Sequence, residues 1–321
     1  MSIAAASVLL GGAGCTSASR GSRPAIAGYP VTIAHRFGET TIPRSPKRVA
    51  CIGYASHDTC IAFGVLPVAM SGNLVDGSKT PWFTAELNRR VLPTPTKYDP
   101  DEGFPIREIE DARPDLILAV NSTINESQYE QLTELAPVVA PPGPNETDWR
   151  TTTRIVAEAL AVEDGGDQVI RTTEKRISKV RASYASLDGL AGVFADARSV
   201  VGADLKVYGA STNPALILKE YGLAPSAALE AADIPSEGTK FEAAADLDLS
   251  DRDLLLLTAP TKEVRSLRDS ALGSARRSVV LDRGAEGYAL IEASPLSVRW
   301  AAEPVIAELA RAAFELDGRR S

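Results

Sequence analysis

The sequence predicts an α/β protein made of two lobes, each with a mainly parallel sheet, joined by one long α-helix. Strand and helix signals alternate from Arg48 to about Ala140, a charged helical stretch then runs to about Leu187, and a second alternation fills the remainder. Strands separated by helices pair in parallel and are covered on both faces. Two such Rossmann-like lobes around a single rod leave a cleft between them as the natural ligand site.

The elements follow in order. VTIAHRFGETTI (31–42) alternates in part around a Gly-Glu pair and predicts a β-hairpin. Two prolines in IPRSPKR end it, and the apolar run RVACIGY suits a buried strand. Ser56 or Asp58 is placed to cap the helix DTCIAFG, which Gly64 closes before the strand LPVAMSG. IREIEDA is a short helix, LILAV a strand, NESQYEQLTELAP a helix and VVA the next strand. WRTTTRIVAEAL and DQVIRTTEKRISKVRASYASL read as helix interrupted by Glu163-Asp-Gly-Gly166, and the second piece, about 165–187, is the candidate rod. Beyond it come the strand SVVGADLKVYG, the helix PALILKEYGLA, the helix-then-strand LDLSDRDLLLLTA, the strand SVVLDR and a last helix from about Leu296 to Phe314. The resulting divisions are 1–14, a signal-like segment; 15–30, a tether; 31–147, the N-terminal α/β lobe; 148–190, the helical segment with the rod; and 191–321, the C-terminal α/β lobe.

Composition narrows the function. The formal net charge is −8, and the adjacent arginines are Arg89-Arg90, Arg276-Arg277 and Arg319-Arg320, too few and too scattered to grip a phosphate backbone, so nucleic acid is not an expected partner. Two histidines and three cysteines leave little for a transition-metal pocket. Cys51 and Cys60, on an expected strand and the following helix, are either two buried thiols or a bridge. G-x-S-x-G, G-x-x-x-x-G-K-[ST] and H-E-x-x-H motifs are all missing, so an enzyme is not expected.

The start, MSIAAASVLLGGAGC, has an apolar run and small residues but no Lys or Arg. It resembles a bacterial lipoprotein signal: Ala13, Gly14 and Cys15 match the lipobox, while Gly12 stands at the Leu-like position. Cys15 is therefore the candidate lipidation site, and the Ser-, Gly- and Ala-rich stretch after it reads as a flexible tether.

Four stretches carry a wider resemblance: HRFGETTIPRSPKRVACIGYASHDTCIAFGVLPVAMSG, EDARPDLILAVNSTINESQYEQLTELAPVVA, LKVYGASTNPALILKEYGL and SPLSVRWAAEPVIAEL. In order and spacing the chain resembles the substrate-binding proteins of ABC importers for ferric siderophores, a group that also includes haem and cobalamin binders. The resemblance implies the helix-bridged bilobal fold of class III periplasmic-binding-protein type, extracytoplasmic and lipid-anchored to the cell membrane, and a monomer. It implies a ferric siderophore in the cleft, no resident cofactor because the iron arrives already chelated, and an ABC permease as partner. The competing functions are a haem or cobalamin binder of the same fold and an anchored interaction module without transport.

Such a ligand wants cations, aromatic faces and hydroxyl donors projecting from the carboxyl ends of strands. Applying that rule selects Tyr54, Trp82, Lys97, Tyr98, Asn121, Ser122 and Thr123 in the first lobe, and Tyr208, Thr212, Asn213, Tyr288 and Arg299 in the second. Tyr54 and Tyr208 could instead cover sheet ends, and Asn121 to Thr123 could cap the next helix. The resemblance implies docking on the permease through one acidic residue per lobe, for which Glu108 or Glu110, and Glu242, are the candidates. With a single arginine among the candidates, the expected lining favours a neutral or weakly charged hydroxamate complex over an anionic tris-catecholate.

Overall fold

The computed structural model describes residues 28–53, 55–72, 80–93, 95–99, 103–144, 147–197, 204–275 and 277–317. Cys15 with its signal-like segment and most of the tether, and Tyr54, lie outside the described residues.

The predicted hairpin forms from β1 (Val31–His35) and β2 (Gly38–Ile42), paired antiparallel. Behind it the first lobe builds a five-stranded sheet in the order β5-β4-β3-β6-β7 from β3 (Val49–Cys51), β4 (Ala69–Ser71), β5 (Thr96–Tyr98), β6 (Leu116–Leu118) and β7 (Val138–Val139). All four pairings are parallel. The residues of β3, β4, β6 and β7 are buried throughout, which is why these strands read as apolar runs, whereas the edge strand β5, Thr-Lys-Tyr, is partly exposed and is not among the strands the sequence predicts. The covering helices are α1 (Ser56–Ala62), α2 (Pro81–Arg90), α3 (Ile106–Ala112) and α4 (Glu126–Thr133). Two cap expectations change. Neither Ser56 nor Asp58 caps α1, whose N-cap position is Ala55 at φ 64°; Asp58 is instead bonded across the lobes, as described below. Asn125, not Asn121 to Thr123, caps α4 through a capping box with Gln128.

α5 (Trp149–Ala159) and α6 (Glu163–Arg181) follow. The Glu163 to Gly166 stretch, expected to interrupt the helices, is the first turn of α6. Gly166 is tolerated there because α5 packs so closely that a Cβ would come within 2.7 Å of that of Ala157. At 19 residues, α6 spans about 28 Å. It touches Phe63 of the first lobe at Gly165 and Gly222 of the second at Arg181, and so bridges them.

The second lobe departs from the prediction in its sheet. β8 (Ala191–Ala197), β9 (Asp204–Tyr208), β11 (Thr239–Ala243), β12 (Asp253–Ala259) and β13 (Ser278–Asp282) run in the order β11-β9-β8-β12-β13, with the short β10 (Ala224–Pro225) beside β8. The β8–β12 and β12–β13 pairs are parallel, whereas β8–β9 and β9–β11 are antiparallel. The sequence reading missed β8, β10 and β11, and the stretch 247–252, expected as helix before β12, is bend, irregular chain and turn. Only residues 198–203 separate β8 from β9, too few for the crossover that a parallel pair needs. α7 (Asn213–Tyr221), α8 (Ala228–Ala231), α9 (Val264–Asp269), α10 (Tyr288–Ile291) and α11 (Ser297–Asp317) cover this sheet.

One apolar core runs from the first sheet through α5 and α6 to α11 and the second sheet, and smaller clusters fill the far face of each lobe. At the seam of the lobes lies a polar node. The buried Asp58 carboxylate of α1 accepts from Trp82 Nε1 at 2.6 Å and from Ser294 Oγ, in the second lobe, at 2.7 Å. His57 Nε2 stands 3.4 Å away. Burial pushes the Asp58 carboxyl up and holds the His57 imidazole down, each charge opposing the other's shift. Cys51 and Cys60 are free, buried thiols with Sγ atoms 3.8 Å apart.

Candidate functional site

The carboxyl ends of both sheets open into a cavity of about 400 Å³ between the lobes. On the first-lobe side its wall is the β6 exit, Val120 to Thr123, with Arg36 from the β1–β2 turn; on the second-lobe side it is Lys206 and Tyr208 of β9, Thr212, the Glu237 to Thr239 turn, and Ile291 with Glu292. A shallower hollow of about 200 Å³ continues past Ser122 and Thr123 over Gly53, Ser71, Tyr98 and Phe104.

Local chemistry sets these side chains. Lys206 and Tyr208, two apart on β9, share a face of the strand, and the ammonium lies 5.2 Å from the ring centroid. Phe194 braces the same ring edge-on at 5.2 Å. Thr212 Oγ1 donates to Gly209 O at 2.7 Å, folding the β9–α7 turn. Gly209 itself must be glycine, since a Cβ would fall 1.8 Å from Pro235 O. Across the cleft, Gly53 has φ 77° and its missing Cβ would meet Asn121 O at 2.3 Å, so the β3 exit supports the β6 exit directly. Ser122 Oγ donates to Ala119 O at 2.8 Å. Arg36 is held by its backbone N–H on Pro141 O at 2.9 Å, by Nη2 donating to Ile124 O, and by the Phe37 ring 4.5 Å beneath its guanidinium.

Of the residues selected from sequence, Asn121, Ser122, Thr123, Tyr208 and Thr212 meet in the cleft. Tyr98 lines the adjoining hollow, its hydroxyl donating to Cys51 O at 3.0 Å. Asn213 sits behind the wall, buried, with Nδ2 donating to Thr147 O at 3.4 Å. Lys97 is half-buried on β5 and does not border the cavity. Trp82, Tyr288 and Arg299 are not brought to the cleft. Trp82 and Tyr288 are buried and stacked, with centroids 6.2 Å apart, because large aromatic rings gain most by filling the inter-lobe core. Trp82 and Arg299 instead border a separate groove of about 700 Å³ between α2, α6 and α11. Glu108 is exposed on α3, while Glu242 lies on β11, paired with Lys240 at 3.2 Å.

Sequence reasoning missed Arg36, Lys206, Glu237 and Glu292. Arg36 was passed over as part of a hairpin, although a turn between strands is where a side chain projects. Lys206 was legible as the residue two before Tyr208. Glu237 and Glu292 arrive by tertiary folding alone. Among the described residues no cluster of three or more His, Cys, Asp or Glu is arranged to hold a metal ion, and no helix is long and apolar enough to cross a membrane.

Comparison with known proteins agrees with this fold. The curated relatives include the putative ABC transporter substrate-binding lipoprotein YhfQ of Bacillus subtilis, 25% identical over 161 residues, covering 49% of this chain and 48% of that protein. A second, the probable siderophore-binding lipoprotein YfiY of the same organism, is 26% identical over 153 residues, covering 47% and 44%. The chain thus matches about half the length of these relatives. Among solved structures, Streptococcus pneumoniae PiaA in complex with ferrichrome superposes with a TM-score of 0.77 at 24% identity, over 89% of this chain and 99% of that one. The periplasmic binding protein family model matches residues 49–270, from the first strand of one sheet to beyond the long central strand of the other, and the chain belongs to that family.

Proposed function

We propose that this chain is the extracytoplasmic binding component of an ABC importer, taking a ferric siderophore of hydroxamate type into the inter-lobe cleft and handing the intact complex to a permease. The observation that carries the reading is the charge of the cleft. Arg36 and Lys206 face it together with Glu237 and Glu292, so its described lining is formally neutral and otherwise offers hydroxyl and amide groups. An anionic tris-catecholate complex needs an excess of guanidinium or ammonium charge. A ferric hydroxamate is neutral or weakly charged and presents carbonyl oxygens, which suit this lining. The iron arrives with its coordination completed by the chelator, so the cleft supplies contacts rather than ligands, and Asn121, Ser122, Thr123, Tyr208 and Thr212 are those contacts. The names of the relatives point the same way.

In this reading the protein performs no chemistry on its ligand and works as a monomer. An acylated Cys15 holds it to the cell membrane, with the following residues to about 30 as tether. Exposed Glu108 is the first-lobe docking carboxylate, and Glu242 would have to leave Lys240 to serve the second. Calorimetric titration with ferrichrome, a ferric tris-catecholate, haem and cobalamin tests the ligand. Calorimetry is preferable to fluorescence, because Trp82, Trp149 and Trp300 all lie away from the cleft lining. Ferrichrome should bind best; if no compound binds below roughly 100 μM, where ΔG is only about −5.5 kcal/mol, the transport reading fails and an anchored interaction module replaces it. Preferred binding of haem or cobalamin would select those alternatives.

A further inference from the structure

We propose that Arg36 and Asn121 form a paired donor site in the first-lobe wall of the cleft that reads oxygen acceptors on the ligand and sets which chelates are accepted. The proposal rests on reading the cleft as a ferric-chelate site. Arg36 precedes the stretch matched by the family model, so the family assignment alone gives it no role.

Two buried donors in this wall have no partner among the described residues: Nε of Arg36 and Nδ2 of Asn121. Both residues border the same cavity. Buried N–H groups are nearly always satisfied, so each of these two calls for an acceptor, and the cavity that both residues border is where one can enter. The Arg36 side chain is also unusually well held for a residue with an unused donor. Its Nη2 is committed to Ile124 O, its backbone N–H to Pro141 O, and its guanidinium lies over Phe37. Phe37 is stacked in turn on Tyr129, with centroids 4.9 Å apart and planes at 28°. The described partners of Arg36 are thus carbonyls and a ring, with no carboxylate among them, and its charge is left uncancelled by ion pairing. A cation fixed in advance with a donor free needs little further ordering when an oxygen reaches it. The carboxylates facing this cavity, Glu237 and Glu292, come from the opposite lobe and are the groups a ligand oxygen would have to displace or exclude.

The test is calorimetric titration of the full chain and of Arg36→Gln, Arg36→Lys and Asn121→Ala with ferrichrome, alongside a melting curve for each. Arg36→Gln and Asn121→Ala should each weaken ferrichrome tenfold or more with melting temperatures within a few degrees of wild type, on the scale of one lost charge-assisted or buried hydrogen bond. Arg36→Lys keeps the charge and should recover part of the affinity, which a role confined to bracing the hairpin would not produce. Ferrichrome binding unchanged within twofold in both Arg36→Gln and Asn121→Ala, or lost only in step with melting temperature, overturns the paired site and leaves the cleft assignment standing. Wild-type protein that binds neither ferrichrome nor a second ferric hydroxamate overturns both.

Discussion

Removing the Ser294 hydroxyl tests whether the two lobes are latched at the Asp58 node. Ser294 Oγ donates to Asp58 Oδ2 at 2.7 Å and accepts from Ser297 N at 2.9 Å, while Ser297 Oγ accepts from Ser294 N at 2.8 Å. Ser294 therefore caps the turn leading into α11 and at the same time joins the second lobe to α1 of the first. A hydrogen bond to a charged group contributes about 1.5–3 kcal/mol, and loss of an N-cap costs about 1 kcal/mol. Asp58 Oδ1 already lacks a hydrogen-bond donor, so Ser294→Ala leaves the buried carboxylate with the one hydrogen bond from Trp82, beside His57. The expected loss is about 3 kcal/mol, or a fall in melting temperature of roughly 9 °C. Urea denaturation and scanning calorimetry at pH 7 measure both. Ser297→Ala removes the cap's other half but not the bond to Asp58, and should lose about 1 kcal/mol less than Ser294→Ala. If Ser294→Ala stays within about 1 kcal/mol of wild type, the bond is not an inter-lobe latch and the lobes are held by apolar packing alone.

Three further outcomes follow from the same structure. Burial holds the His57 imidazole below its ordinary 6.5, so its contribution to stability is complete above that pH and is lost as pH falls from there through the lowered value. His57→Gln should flatten this part of the stability profile measured by denaturation from pH 7 to 5, and parallel profiles would contradict it. Glu86 is held at about 2 by its hydrogen bonds from Arg89 and then Arg90, so it stabilises fully above 4.5 and loses that contribution as pH drops toward 2. Glu86→Gln should cost about 1 kcal/mol at pH 7 and nothing near pH 2, the scale of an ion pair with exposed partners. Gly53→Ala places a Cβ against Asn121 O in a left-handed backbone conformation; it should cost roughly 3 kcal/mol and weaken ligand titrations, whereas an unchanged melting curve would mean the two strand exits are not in contact.

Periodicity and punctuation alone determined much of this protein. The hairpin, four of the five parallel strands of the first lobe, three of their helices and the charged rod were legible because each is a local pattern: apolar runs between turn residues, or helical spacing with one polar face; β5 and α2, in a stretch rich in Pro and Thr, carry no such pattern. The rule that ligand groups project from strand ends likewise selected Asn121 to Thr123, Tyr208 and Thr212, which the structure brings to one cavity. Tertiary structure decided what proximity in sequence does not encode. It made the second sheet mixed, because a short connection forced β9 to run back along β8. It turned Trp82 and Tyr288 inward, since an aromatic ring gains more from a core than from a cleft, and drew Asp58 from a helix start into a bond with a serine 236 residues away. It also brought Arg36, Glu237 and Glu292 to one cavity from segments that carry no shared motif, because a cleft between lobes is a property of how the two are docked and not of either chain segment.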